Sequence, residues 1–112
     1  MPISFSRRAA AMAAFVLVLA VGTAGVAAPQ PVTIKIDNFT FGPAEVSVPA
    51  GTVVTWVNGD DIPHSVVSVD KSFRSKPLDT GDSFSQTFAT PGTFNYFCGL
   101  HPHMTGRVIV TP

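Results

Sequence analysis

The fold of this chain is decided by the stretch Val48-Pro49-Ala50-Gly51-Thr52-Val53-Val54-Thr55-Trp56-Val57-Asn58. Its residues Pro49-Ala50-Gly51 form a turn signal, and a run rich in Val and Thr follows at once. Because β-branched and aromatic residues favour extended strands, this run predicts a strand from Thr52 to Asn58. The pair Pro91-Gly92 precedes a second such run in the same way. The punctuation is typical of a chain built from short strands.

Similar runs recur through the rest of the chain, and no segment after residue 28 has the period of a helix. In the first run Val32, Ile34 and Ile36 alternate with polar residues, which suits a strand with one buried face. The predicted strands are Val32 to Asp37, Ala44 to Val48, Thr52 to Asn58, Ser65 to Val69, Ser83 to Phe88, Thr93 to Phe97 and Gly106 to Val110. The polar segment from Asp70 to Asp82 is a connection with room for an irregular edge strand. The pattern predicts an all-β sandwich or barrel with Greek-key connections.

The first 28 residues have the features of a secretory signal peptide. Arg7 and Arg8 precede an uncharged stretch rich in Ala, Val and Leu, and Val26-Ala27-Ala28 offers small residues before a cleavage site. A retained membrane anchor is the alternative, since the uncharged run is long enough to span a bilayer. We predict a signal peptide over residues 1–28, a single domain over residues 29–112, and a periplasmic or otherwise exported protein. The paired arginines do not choose between the Sec and twin-arginine routes.

The charge of the predicted mature chain excludes one class of partner. Its 84 residues carry five basic against seven acidic side chains, a formal net charge of −2. It has no basic stripe, so nucleic acid is not expected to bind.

The chain has one cysteine, Cys98, although it is predicted to enter an oxidising compartment. Small exported domains usually gain stability from paired cysteines, and an exposed free thiol would be liable to oxidation. Three explanations are open: a buried and inert thiol, a disulfide between two chains, or a thiolate that holds a metal.

The neighbours of Cys98 favour the metal. His101 and Met104 follow at intervals of three residues, on a connection between two predicted strands that Pro102 stiffens. His64 lies upstream, at the start of another predicted strand. A thiolate, two imidazoles and a weak thioether are the donors of blue copper sites. Zinc is the competing metal, but a thioether is a poor zinc ligand, and Cu(II) binds such a site more tightly.

The third histidine, His103, is an alternative to His101 as a ligand. It would then stand directly beside Met104, and adjacent residues do not easily converge on one ion. We predict that His64, Cys98, His101 and Met104 bind one copper ion, with His103 as an exposed neighbour that can tune the site through its titration.

These motifs together resemble the cupredoxins, and within them the amicyanin- and plastocyanin-like carriers. The likeness rests on residues 48–58, on Pro63-His64-Ser65-Val66, and on Tyr96 through Met104 running into Gly106-Arg107-Val108. With Asn38-Phe39-Thr40-Phe41 it covers nearly all of the mature chain. It implies a two-sheet Greek-key sandwich of about seven to eight strands, with copper near one end.

The resemblance also implies roles for neighbours of the ligands. Asn58 matches an Asn that helps to tie the two ligand-bearing loops together; an ordinary turn residue is the alternative. Two positions depart from the family pattern. Ser65 stands where Asn is common, so this part of the site should be bonded differently, and His103 replaces a bulky apolar residue, which puts the family's apolar docking patch in doubt.

The predicted function is the transfer of single electrons between redox proteins by a monomer that cycles Cu(II) and Cu(I). A periplasmic protein for copper storage or delivery is the alternative, and an adhesive or structural domain with a vestigial site is a third. We do not expect an enzyme, because a mature chain with three histidines lacks ligands for a further copper. A membrane is a partner only if the first 28 residues are retained.

Overall fold

The computed structural model describes residues 28–112, which form eight strands without a helix. Except for Ala28, the predicted signal peptide lies outside the described residues. The strands are β1 Val32–Asp37, β2 Thr40–Gly42, β3 Glu45–Pro49, β4 Thr52–Asn58, β5 Val67–Ser68, β6 Ser83–Phe88, β7 Gly92–Phe97 and β8 Thr105–Thr111. From Ala28 to the end of the chain there is no helix of the length and apolarity that a bilayer span requires.

The strands form two four-stranded sheets that pack face to face. One sheet has the order β2-β1-β4-β6, and the other has the order β3-β8-β7-β5. The pairs β1–β4 and β3–β8 are parallel, whereas the remaining pairs are antiparallel. Parallel neighbours need a crossover connection, and here the chain crosses to the other sheet between them. The predicted all-β sandwich is confirmed.

The predicted boundaries agree with the structure to within one residue for every predicted strand except β5. β1, β4 and β6 have the predicted ends, but β5 shrinks to Val67–Ser68, and β2 was not predicted. β2 is short and follows a turn in which Asn38 and Phe39 have φ angles of 49° and 56°. Asn tolerates this left-handed conformation, but a bulky residue such as Phe39 seldom adopts it, so the sequence carries only half of a turn signal there. The connection from Asp70 to Asp82 holds only isolated bridges, at Arg74 and Leu78.

The core lies between the sheets and is centred on Trp56, whose side chain is fully buried. Four aromatic rings surround it with centroids between 5.2 and 6.3 Å away; they belong to Phe73, Phe84, Phe88 and Tyr96. Tyr96 lies two residues before Cys98 on β7, so the aromatic cluster supports the strand that ends at the predicted metal ligands.

Candidate metal centre

The four predicted ligands lie on two connections at one end of the sandwich. His64 belongs to the β4–β5 connection, and Cys98, His101 and Met104 belong to the connection from β7 to β8. The second loop is closed by its own backbone: Cys98 N–H donates to the Met104 carbonyl at 2.9 Å, and Met104 N–H donates to the His101 carbonyl at 2.9 Å. The spacing of three residues therefore corresponds to consecutive tight turns.

Cys98 and His64 form the innermost pair of donors. Both side chains are fully buried, and Cys98 Sγ lies 3.6 Å from His64 Nδ1. Typical bond lengths of about 2.3 Å to a thiolate and about 2.0 Å to an imidazole would place one ion between these atoms.

The other nitrogen of His64 is engaged by Asp60. Nε2 lies 2.7 Å from Asp60 Oδ2. The pKa of Asp60 is lowered from 3.8 to about 2, most strongly by the hydrogen bond from the N–H of Phe39 and also by the N–H of Asn38 and the His64 side chain, whereas desolvation opposes the shift. The ionised carboxylate accepts a hydrogen bond from the Nε2–H of His64, which leaves Nδ1 without a proton and free to bind a metal.

Asp60 and Phe39 were not among the predicted site residues. Phe39 packs edge-on against both histidine rings, at centroid distances of 5.6 Å to His64 and 5.1 Å to His101. The sequence signal for Asp60 is an acidic residue four positions before His64. Because Asp61 is also acidic, the sequence does not show which of the two contacts the His64 ring.

Ser65 ties the two ligand-bearing loops together. Its backbone N–H donates to Cys98 Sγ at 3.3 Å, and its hydroxyl accepts the N–H of Gly99 at 2.9 Å. A Cβ atom at Gly99 would lie 2.8 Å from that hydroxyl oxygen, so the absent side chain permits the contact.

Asn58 has a different role from the one the resemblance implies. Its side chain is fully buried; Nδ2 donates to the carbonyls of Ile62 and Leu78, both at 2.9 Å, and Oδ1 accepts the N–H of Asp60 at 2.9 Å. None of these bonds reaches the Cys98 loop, so they do not show the tie between the two ligand-bearing loops that the resemblance implies. The bond to the Asp60 N–H, two residues further on, is that of an Asx turn, which agrees with the alternative of a turn residue. Asn58 braces the loop of the first histidine against the chain near Leu78.

The remaining donors differ in their exposure. Met104 is buried, whereas His101 is partly exposed and its ring centroid lies 5.2 Å from that of His64. His103 is exposed, on the same loop. In the described part of the chain no three His, Cys, Asp or Glu side chains are close enough to hold a metal ion unaided. A bound ion would therefore draw in at least one donor, and the partly exposed His101 has the most freedom to move.

The donor set fits a type 1 copper ion. It offers a buried thiolate, an imidazole with a free Nδ1, a second imidazole near the surface and a buried thioether. Soft sulfur and imidazole donors suit copper in both of its oxidation states. Carboxylates, which would favour harder cations, are represented only by Asp60, and this residue is occupied by the outer nitrogen of His64.

Known proteins share this arrangement of sequence and fold. A family model described as a cupredoxin-like domain matches residues 9–110. The chain is 35% identical over 112 residues to amicyanin-alpha from Methylorubrum extorquens, with 91% of this chain and 94% of that protein covered. It also resembles the solved structure of a purple cupredoxin from Nitrosopumilus maritimus, with 35% identity, a TM-score of 0.69, and coverage of 71% and 99%.

A third similar structure is a larger protein. The Cu-containing nitrite reductase from Thermus scotoductus is 32% identical with a TM-score of 0.70; 75% of this chain is covered but only 23% of the reductase. Fold, motifs and family model agree, and the protein belongs to the cupredoxin-like family.

Proposed function

We propose that this protein carries single electrons between redox proteins by means of one copper ion held by His64, Cys98, His101 and Met104. The observation that carries the proposal is the buried pair of Cys98 Sγ and His64 Nδ1, 3.6 Å apart. A cysteine that served only as packing would not need an imidazole nitrogen and a backbone N–H directed at its sulfur.

The side chains would divide the work of holding the metal. A bound copper ion supplies a one-electron couple between Cu(II) and Cu(I). The Cys98 thiolate and the two imidazoles would hold the ion, and the Met104 thioether would add a weaker, soft donor that favours the reduced state. The Ser65 N–H, which donates to the sulfur at 3.3 Å, draws charge from the thiolate and so helps to set the reduction potential.

The supports of the site suit rapid electron exchange. Ser65 links the two loops, Asn58 braces the first loop, and backbone hydrogen bonds close the second. Donors held in this way cannot follow the geometric preference of either oxidation state far. Little reorganisation is therefore needed when an electron arrives or leaves.

Electrons would pass through His101, the partly exposed donor. Phe39 and Leu100, with 52% and 49% of their surfaces exposed, flank this end of the protein. Phe39 packs on the His101 ring itself, so an apolar contact surface adjoins the exit route in spite of the exposed His103. We propose transient docking of a redox donor and a redox acceptor here, by a monomer.

The proposal includes export and excludes catalysis. Residues 1–28 would act as a signal peptide that delivers residues 29–112 to the periplasm or another exported location. Four side chains would fill the coordination of the copper and leave no position for a substrate, so the protein would not be an enzyme. Intact mass measurement of the exported protein tests cleavage after Ala28, because retention of the segment would appear directly as added mass.

The copper site is tested by adding Cu(II) to the purified protein and recording its visible spectrum and its electron exchange with a small redox protein. We expect an intense blue colour that is lost in Cys98→Ala. His101→Ala and His103→Ala form a matched pair on the same loop, and only the first should abolish the type 1 spectrum. A spectrum that depends on His103 instead would move the ligand assignment by two residues.

The same measurements separate the rival functions. A copper-loaded protein that exchanges electrons slowly and gives its copper readily to a chelator would indicate storage or delivery. A colourless protein that prefers zinc would refute the electron-transfer proposal.

A further inference from the structure

We infer that Asp60 is the positioning residue that orients His64 toward the metal and, through the same carboxylate, fixes Phe39 against both ligand imidazoles. The inference deepens the proposed function and rests on His64 and His101 being ligands. In this role the Asp60 carboxylate holds His64 and Phe39 in position before any metal is bound.

The first step concerns the His64 tautomer. Asp60 Oδ2 lies 2.7 Å from Nε2, and Nδ1 on the other side of the ring faces the Cys98 sulfur. An ionised carboxylate accepts hydrogen bonds only, so the ring proton belongs on Nε2. Without this partner the proton could reside on Nδ1 and would have to leave before a metal could bind there.

The second step concerns the turn between β1 and β2. Asp60 Oδ1 accepts the N–H of Asn38 at 2.7 Å, and Oδ2 accepts the N–H of Phe39 at 3.0 Å. Both residues have left-handed φ angles, which Asn tolerates but which Phe39 adopts against its intrinsic preference. The carboxylate satisfies both N–H donors and thereby stabilises a turn whose second residue does not favour this conformation.

Phe39 connects the turn between β1 and β2 to both ligand histidines. This ring is about half exposed, yet it contacts the rings of His64 and His101 edge-on at 5.6 and 5.1 Å. The Asp60 carboxylate binds both the backbone of Phe39 and the ring of His64. It therefore fixes the phenyl ring of Phe39 relative to the imidazole of His64. Asp60 itself is fixed from behind, since its N–H donates to Asn58 and its carbonyl accepts the Thr80 hydroxyl.

Three variants test this role. Asp60→Asn keeps the shape but has one acceptor oxygen for three N–H donors. One of two things must then change: either His64 shifts its proton to Nδ1, or the N–H of Asn38 loses its acceptor. Asp60→Ala removes all three contacts. Asp61→Asn is the matched control, because this exposed neighbour carries the same charge and makes no hydrogen bond within residues 28–112.

The decisive readouts do not require copper. In the copper-free protein, nitrogen NMR of the His64 ring reports the tautomer, and amide hydrogen exchange reports the protection of Asn38 and Phe39. We expect Asp60→Asn to change at least one of these and Asp60→Ala to change both, whereas Asp61→Asn should leave them as in the wild type. A tautomer and amide protection unchanged in both Asp60 variants would overturn the inference.

Copper measurements then connect the carboxylate to the metal. Loss of an outer partner of a ligand histidine typically weakens metal binding about 10–100-fold, and we expect this in Asp60→Ala but not in Asp61→Asn. The reduction potential should rise in Asp60→Asn, because a less basic imidazole stabilises Cu(II) less. Equal affinities and potentials in both Asn variants would refute the link to the metal. If the wild type binds no copper, the proposed function fails while the NMR result still decides the role of Asp60.

Discussion

A methyl group added at Gly106 should disturb the aromatic core beneath the metal loop. Gly106 lies on β8, directly opposite Tyr96 on β7. A Cβ atom at this position would lie 2.2 Å from Tyr96 Cζ, 2.3 Å from its hydroxyl oxygen and 2.7 Å from Cε2. Ordinary contacts between carbon atoms are about 3.5–4.0 Å. To restore such a distance from 2.2 Å, the tyrosine ring would have to move by more than about one ångström.

The ring has little freedom to move. Tyr96 is 1% exposed, and it packs edge-on against Phe41 at 4.8 Å and Trp56 at 5.2 Å. Overpacking in a well-filled core costs about 1–3 kcal/mol, and a clash with two ring carbons and the hydroxyl oxygen belongs at the upper end. For a domain of this size, about 3 kcal/mol corresponds to a fall in Tm of roughly 12–24 °C.

The assay is urea unfolding of the copper-free protein, with Gly106→Ala measured alone and combined with Tyr96→Leu. Because leucine lacks the ring atoms that clash, the second substitution should reduce the effect of Gly106→Ala to below about 1 kcal/mol. Gly42→Ala is the control, since its Cβ would lie 3.7 Å from the nearest atom outside its chain neighbours. A destabilisation below about 1 kcal/mol in the wild-type background, or an equal one in both backgrounds, would refute the steric reasoning.

Three further outcomes are expected. Ser65→Ala leaves the Gly99 N–H without its acceptor and should lower the free energy of unfolding by about 1–3 kcal/mol, whereas Ser47→Ala, an exposed control on β3, should change it little. Hydrogen bonds from the Ser72 hydroxyl and N–H lower the pKa of Asp70 below 3.8, so the ionised carboxylate stabilises the fold above pH 3.8. The stability advantage of the wild type over Asp70→Asn should therefore shrink as the pH falls through the lowered pKa, which acid unfolding of both proteins measures. Copper at a hundred times its Kd should add about 2.7 kcal/mol of stability, visible as a rise in Tm that a chelator reverses; an unchanged Tm would contradict specific binding.

The long strands could be predicted because their signals are local. Alternation in β1 and the turn before β4 depend on neighbouring residues alone, so both strands have the predicted ends. β2 escaped prediction because the preceding turn relies on a carboxylate more than twenty residues away, at Asp60. β5 was predicted too long because the chain around it pairs by isolated bridges to the Asp70–Asp82 connection rather than by a continuous ladder.

The sequence by itself determined which atoms of the predicted mature chain are available for a metal: one thiol, three imidazoles and one thioether, with four of these five donors on one short loop between two strands. Donor chemistry depends on residue type alone, so it can be predicted without knowing the fold. Only the tertiary structure decided how those donors are held. It brought His64 Nδ1 to within 3.6 Å of Cys98 Sγ, gave Ser65 rather than Asn58 the tie between the loops, and selected Asp60 over Asp61 as the partner of His64. The first two contacts join residues 34 positions apart, and the Asp60 carboxylate is itself held by a turn 21 and 22 residues upstream. Contacts between such distant segments exist only once both sheets have packed.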